Sequence, residues 1–276
     1  MAIISQLDAL TVDGEPILSA YRAEQDGPWT IDILFADTEA DAQTRWLEAA
    51  AELCPELPAL KFDALAERDW VAETQRALHP VRAGRFTVHG SHDSARLPPS
   101  RFRIMIDAGR AFGTAHHAST KGCLVALERA ALVEPLGEVL DVGTGTGVLA
   151  IAAEKLGATA VRASDIDPVA VRVASQNVRA NRVSRPIRVD TMAGPKGSAD
   201  TVTANILARP LIAMAPALAA STRRRLILSG LRTRDRRRVE AAYVSRGFVV
   251  LSRIVIDDWI TIALGRFRAP QPPLRA

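Results

Sequence analysis

The sequence predicts an α/β protein: a doubly wound sheet whose last strand runs antiparallel, preceded by a small α+β domain. Three observations lead there. From about Phe102 onward, short apolar runs alternate with stretches of helical period, and such alternation builds a parallel sheet with helices on both faces. The last two apolar runs, Phe248–Ile256 and Trp259–Leu264, are separated only by Asp257 and Asp258. That link is too short for a crossover, so the two strands pair antiparallel. Before Pro55, one alternating run and one amphipathic run form a unit of their own.

Composition sets the outer limits. A chain of 276 residues suits one large domain with a smaller one. With 48% hydrophobic and 24% charged residues it is ordinarily globular, which excludes long disordered tracts. Cys54 and Cys123 fall in different predicted helices without CxxC spacing and read as free thiols in a reducing cytosol. The opening MAIISQLDALTVDGEP has no basic n-region and meets Asp8 before any long apolar stretch, so it is not a signal peptide. The longest apolar runs fall far below the ~20 residues of a membrane helix. A cytoplasmic protein without membrane contact is expected.

The net charge of +4 is unevenly spread: arginines crowd the stretch from Arg223 to Arg238. Two readings compete, a solvated helix face and attraction to a nucleic acid or ribonucleoprotein. No aromatic platform or RNA-recognition motif accompanies them, so sequence-specific nucleic-acid readout is not expected.

The elements follow in order. Pro28 to Ala36 alternates apolar and polar and predicts a half-buried strand. Thr38 to Leu53 predicts an amphipathic helix, stopped by Pro55 and Pro58. These make a small domain over residues 1–60. Residues 61–100 read as a connector, with a short helix in Phe62–Leu78 and then proline- and glycine-punctuated loops and short strands such as RFTVHG. Residues 101–276 hold helices at Ser119–Val133, Gly147–Leu156, Val169–Arg179, Leu211–Ala220 and Arg234–Arg246. Strands at Glu138–Val142, Ala160–Ser164, Ile187–Asp190, Thr201–Asn205 and Arg225–Ser229 alternate with them, and the final pair follows.

The first of these strands runs into Asp141-Val-Gly143-Thr-Gly145-Thr-Gly147, and a helix follows. Glycines allow a tight turn and close backbone approach to a ligand at the helix N-terminus. The spacing is GxGxG, not the GxGxxG of dinucleotide binders. Asp141, two residues before the first glycine, would repel a pyrophosphate and suits a cationic ligand, such as an amino group near a sulfonium. The loop therefore argues against NAD and for S-adenosylmethionine. Asp165 stands 22 residues beyond Gly143, where an acidic residue holds a ribose diol. Asp167 predicts an N-cap with Pro168 at the first helical position.

Methyl transfer to nitrogen needs a neutral amine, so an α-amine (pKa ~8) or lysine (pKa ~10.4) must first lose a proton. Acceptors aimed at the remaining N–H groups orient the lone pair. Asn205, at the carboxyl end of its strand, offers such an oxygen. Upstream, Gly109 and Gly113 permit a loop. Ser119 and Thr120 are expected to cap the next helix with their hydroxyls toward the cofactor. His116 and His117 are adjacent and lack carboxylate partners, so no metal site is expected; a general base remains open.

The runs AFGTAHHAST, LDVGTGTGVLAIAAEKLGA, SDIDPVAV, TANILARPL and LILSGL together resemble the ribosomal protein L-eleven methyltransferases, the PrmA family. The resemblance is dense from about Arg101 to Gly265, and RDWVAETQRALHPVRAGRFTVHG looks like that family's connector. It implies a class I methyltransferase (Rossmann-like) sheet of seven strands. It implies methylation of lysine side chains and the N-terminal α-amine of ribosomal protein L-eleven, free or on the large subunit. It further implies that Thr120, Gly143, Asp165 and Asn205 contact the cofactor, and that Ser119, Asn205 and the backbone carbonyl of Ile206 cradle the acceptor amine. Asp141 and Gly145 join the cofactor set from the loop reading above. Two departures stand out: Ala115 replaces a usual glycine, and Ser119 replaces a usual threonine. An alternative substrate is a lysine of the electron-transfer flavoprotein beta subunit. A dehydrogenase would require GxGxxG, and a non-catalytic RNA binder would not require Asp141, Asp165 and Asn205. No long exposed apolar helix or edge stands out, so a monomer is expected.

Overall fold

A computed structural model of the protein describes residues 17–22, 29–34, 40–53, 79–107 and 117–266. Its packing divides the chain into a unit Met1–Glu67 and a unit Arg68–Ala276. In the first unit β1 (Ile17–Arg22) pairs antiparallel with β2 (Trp29–Leu34), Ile17 opposite Leu34 and Arg22 opposite Trp29. Helix α1 (Ala40–Leu53) follows and buries Trp46 and Ala50, four residues apart on one face. Strand β1 is not foreseen from the sequence, because ILSAYR does not alternate cleanly; its partner strand supplies what local preference does not. The helix expected over Phe62–Leu78 lies outside the described residues, as does Cys54.

In the second unit β3 (Val81–Ala83) and β4 (Phe86–His89) pair antiparallel, and β5 (Arg103–Met105) runs parallel to β4. This small sheet falls where the sequence suggests a connector. It packs into the second unit: Val81, Phe86, Val88 and Ile104 share one buried cluster with Leu124, Leu127 and Ile151. The Asn181 side chain ties it down by accepting from the Met105 N–H and donating to the Met105 carbonyl.

The large sheet follows. Helix α2 (Ala118–Val133) leads to β6 (Glu138–Val142), α3 (Val148–Lys155), β7 (Ala160–Asp165), α4 (Pro168–Ala180) and β8 (Ile187–Thr191). Then come β9 (Ala199–Asn205), α5 (Ala208–Ala213), α6 (Ala215–Ser221), β10 (Thr222–Arg232), α7 (Arg236–Val244), β11 (Phe248–Ile256) and β12 (Trp259–Arg266). The spatial order is β11-β12-β10-β9-β6-β7-β8. Strands β8, β7, β6, β9 and β10 are parallel, and β12 runs antiparallel to both its neighbours. Chain order reverses between β6 and β9, and ligands of open α/β sheets bind at that switch point. Alternate strand residues feed two cores: Val139 joins the cluster of α2 and α3, Leu140 that of α5, α6 and α7.

Three details differ from expectation. The helix read as Leu211–Ala220 is two helices meeting at Met214, where Pro216 in the first turn of α6 cannot donate to the preceding turn. The final hairpin lies at the sheet edge, but its last strand β12 is inserted beside β10 and leaves β11 outermost. That edge strand does expose apolar side chains, Val249, Leu251 and Val255.

The arginine stretch is largely engaged by carboxylates. Arg223 pairs with Glu138 and Asp200, Arg224 with Glu134 and Asp200, and Arg225 with Glu134. Arg232 pairs with Asp258, and Arg236 with Glu240. Arg234, Arg237 and Arg238 are exposed. Asp167 caps α4 as expected, accepting from the Val169 N–H at 2.8 Å with Pro168 behind it.

Phe86 is fully buried where the small sheet meets α2 and stacks edge-on against Phe102 at 5.6 Å. Phe86→Ala is expected to lower unfolding free energy by about 3–5 kcal/mol. Chemical denaturation checks this; a loss below ~1 kcal/mol would mean that the small sheet is not part of the main core.

Candidate active site

The loop leaving β6 holds Gly143, Gly145 and Gly147 at φ of 70°, 56° and 83°. Gly143 shows why the residue type matters: a Cβ there would strike the Ile206 side chain, besides being strained at this φ. The Gly143 and Thr144 N–H groups both donate to the Ser164 carbonyl, at 2.8 and 2.9 Å, which ties the loop to β7.

Asp141 lies beneath this loop and is 1% exposed. Its two oxygens accept from the hydroxyls of Thr144 and Thr203, each at 2.6 Å. Burial raises its pKa, and the two hydroxyl hydrogen bonds oppose that rise. Above it, Asp165 accepts from the Gly145 N–H at 2.8 Å through one oxygen and from the Asp167 N–H at 3.1 Å through the other. The two acidic residues predicted from spacing therefore flank the glycine loop, one buried under it and one at its rim.

Across the switch point stands Asn205, at the end of β9. Its Nδ2 donates to Thr120 Oγ1 at 3.2 Å, while its Oδ1 is buried without a hydrogen-bond partner. A buried amide oxygen left unpaired costs about 1–3 kcal/mol, so such an atom asks for a donor from a ligand. Thr120 and Ser119 are themselves buried. Neither caps α2 as expected. The N-cap is His117, whose Nδ1 receives the Ser119 N–H at 3.4 Å and lies 2.7 Å from Ser119 Oγ. The helix starts one residue earlier than the hydroxyl pattern suggests, which turns both hydroxyls into the first helical turn.

Ile206 follows Asn205. Its N–H donates to the Ser229 carbonyl at 3.2 Å, and its peptide lies flat against Gly230. A Cβ on Gly230 would overlap the Ile206 carbonyl group, and Gly230 sits at φ 82° in the irregularity between Leu228 and Leu231. Ser229 Oγ lies 2.8 Å from Thr261 Oγ1 and donates to the Ser119 carbonyl at 3.2 Å, joining β10, β12 and α2. Cys123 is fully buried beside Ser229 and Thr261, and burial pushes its thiol pKa up to about 12, an inert group.

The structure thus brings Ser119, Thr120, Asp141, Gly143, Gly145, Asp165, Asn205 and Ile206 to one end of the sheet. Sequence reasoning missed Thr144, Thr203, Ser229, Gly230 and the capping role of His117. Gly230 carried a usable signal, an isolated glycine inside an apolar strand. Gly109, Gly113, Ala115 and His116 lie outside the described residues. Among the described residues no cluster of His, Cys, Asp and Glu could hold a metal, and no helix is long and apolar enough to cross a membrane.

A parallel sheet with an inserted reversed strand, a GxGxG turn over a buried aspartate and an acidic residue ending the next strand define a class I methyltransferase. The sequence profile of the family described as "Ribosomal protein L11 methyltransferase (PrmA)" matches residues 3–266. A ribosomal protein L11 methyltransferase of Rhizobium rhizogenes is 42% identical over 261 residues, covering 91% of this chain and 89% of its own. One from Bradyrhizobium diazoefficiens is 42% identical over 271 residues, covering 95% and 92%. The crystal structure of a ribosomal protein L11 methylase from Lactobacillus delbrueckii subsp. bulgaricus superposes with TM-score 0.63 at 31% identity, covering 69% of this chain and all of that one. The chain belongs to the ribosomal protein L11 methyltransferase family.

Two variants test the frame of the site. Thr203→Val leaves one oxygen of buried Asp141 without its donor and is expected to cost about 1–3 kcal/mol in denaturant unfolding, with Thr203→Ser restoring stability. Gly230→Ala is expected to cost at least ~1 kcal/mol from backbone strain and to displace Ile206. Wild-type stability in both would show that neither contact is needed.

Proposed function

We propose that the protein transfers methyl groups from S-adenosylmethionine to amine nitrogens of ribosomal protein L11, on lysine side chains and the N-terminal α-amine. The observation that carries this reading is the unpartnered Asn205 Oδ1, an acceptor buried at the switch point beside Ser119 and Thr120. An amine nucleophile supplies the missing N–H donor.

S-adenosylmethionine fits the donor set: the cofactor supplies an electrophilic methyl on a sulfonium. Asp165 would take the ribose hydroxyls in place of the Gly145 N–H it now accepts. Gly143, Gly145 and Thr120 would line the methionine moiety. Asp141, with both oxygens engaged, would favour that cationic moiety through the loop by charge and not by contact. Asn205 Oδ1, Ser119 Oγ and the Ile206 carbonyl would accept from the amine N–H groups and turn its lone pair toward the methyl, which is positioning catalysis. The N-terminal unit, read as a domain of residues 1–60, would recruit the protein substrate; of the expected connector 61–100, only the part before β3 would serve as a link, since β3 and β4 pack into the second unit. A ribosomal substrate fits a cytoplasmic protein, and the chain reads as a monomer. The relatives' names favour the ribosomal substrate over the electron-transfer flavoprotein beta subunit.

Intact mass spectrometry of recombinant L11 incubated with the protein and S-adenosylmethionine is expected to show increments of one methyl, which fragmentation places on amine nitrogens. No increment, with cofactor binding intact, would refute the substrate; absence of both would refute the reading. Asp165→Ala should weaken cofactor affinity by calorimetry, whereas Asn205→Ala should lower kcat more than cofactor affinity. Unchanged affinity in the first would remove the ribose assignment.

A further inference from the structure

Beyond Ser119 the structure shows a ladder that the reading above does not use. His117 Nδ1 lies 2.7 Å from Ser119 Oγ and also receives the Ser119 N–H. A backbone N–H only donates, so Nδ1 is an acceptor, and the Ser119 hydroxyl must be the donor in the shorter bond. The imidazole then carries its proton on Nε2. Its ring meets Trp259 edge-on at 4.2 Å. The Arg232 guanidinium lies 4.9 Å from the Trp259 centroid and is held by Asp258 at 3.0 Å. Asp258 also accepts from Thr233 Oγ1.

A serine hydroxyl can donate or accept, and a site for an amine needs acceptors only. We propose that His117 is a positioning residue for the acceptor amine: by engaging the Ser119 hydroxyl proton, it leaves only lone pairs of Ser119 Oγ facing the nitrogen, and the Trp259–Arg232–Asp258 stack holds the imidazole in that pose. This rests on the reading that Ser119 faces the amine.

Burial and then the Arg232 charge lower the His117 pKa from its ordinary value, which keeps the ring neutral near pH 7. The charge shown to act on the ring is that of Arg232 on β10, itself paired with Asp258 in the β11–β12 turn. A protonated ring would donate through Nδ1, reverse the Ser119 hydroxyl and point its hydrogen at the amine N–H groups. Two protonations, of the amine and of His117, then suppress the reaction in acid.

The test measures methylation of recombinant L11 as a function of pH by wild type, His117→Ala, His117→Asn and Ser119→Ala. Asparagine keeps a short acceptor at a helix N-cap and does not titrate. His117→Ala should lower kcat by about tenfold to a hundredfold, with cofactor affinity unchanged, and His117→Asn should restore most of it. The acid limb of log(kcat/KM) should approach a slope of two in wild type and one in His117→Asn. A slowed Ser119→Ala with wild-type kcat in His117→Ala would overturn the inference alone. An unaffected Ser119→Ala would overturn the reading beneath it as well. Should His117→Ala fail to fold, the slope of His117→Asn decides: a slope still approaching two overturns the proposal.

Discussion

A carboxylate buried under the glycine loop constrains everything at this end of the sheet. Taking an ionised group out of water costs several kcal/mol unless hydrogen bonds replace the lost solvation. Asp141 has two such bonds at 2.6 Å, from Thr144 in the loop and Thr203 on the neighbouring strand. Meeting both at once fixes the loop against β6 and fixes β6 against β9. Two residues along β9 from Thr203, Asn205 emerges with its side chain beside α2. The glycine loop and the strand end that carries Asn205 are thus set by the same buried carboxylate.

The surroundings of Ser119, Asn205 and Ile206 are built from pieces that are far apart in the chain. Ser229 joins the Ser119 carbonyl to Thr261, and Gly230 gives the Ile206 peptide room to lie flat. These contacts lock α2 onto β10 and β12, so the first turn of α2 presents Ser119 and Thr120 at a constant depth. The result suits a reaction in which the protein does little chemistry and much aiming. The unpartnered Asn205 oxygen is a local cost in stability, which the proposed amine donor would relieve.

The basic stretch near the C-terminus has a simpler physical account. Arg223, Arg224 and Arg225 sit at the start of β10 and meet Glu134 from the end of α2, Glu138 from the start of β6 and Asp200 from the start of β9. The carboxylates converge from distant positions, so a charge count along the chain cannot reveal the neutralisation. The partly exposed pairs of Arg223 and Arg224 contribute little stability each; Arg225 is buried, and all three guanidinium groups are kept out of any free positive patch.

Much of the architecture was legible in the sequence because it rests on local periodicity. Strand Glu138–Val142 and its glycine turn, Asp165 at the next strand end, Asp167 capping the following helix and the closing hairpin all follow from short-range patterns. Asn205 was reachable as a strand-end acceptor and Ser119 as a helix-start hydroxyl, whereas the parts of Ser119 and of the Ile206 carbonyl at the amine came only from resemblance. Tertiary structure alone decided that Asp141 is enclosed by two threonines, that His117 and not Ser119 caps α2, and that Gly230 makes room for Ile206. It also decided that residues 79–107 join the main core. Each of these depends on which side chain meets which across the sheet. Periodicity tells a residue which way to face, whereas only the assembled strands decide what it finds there.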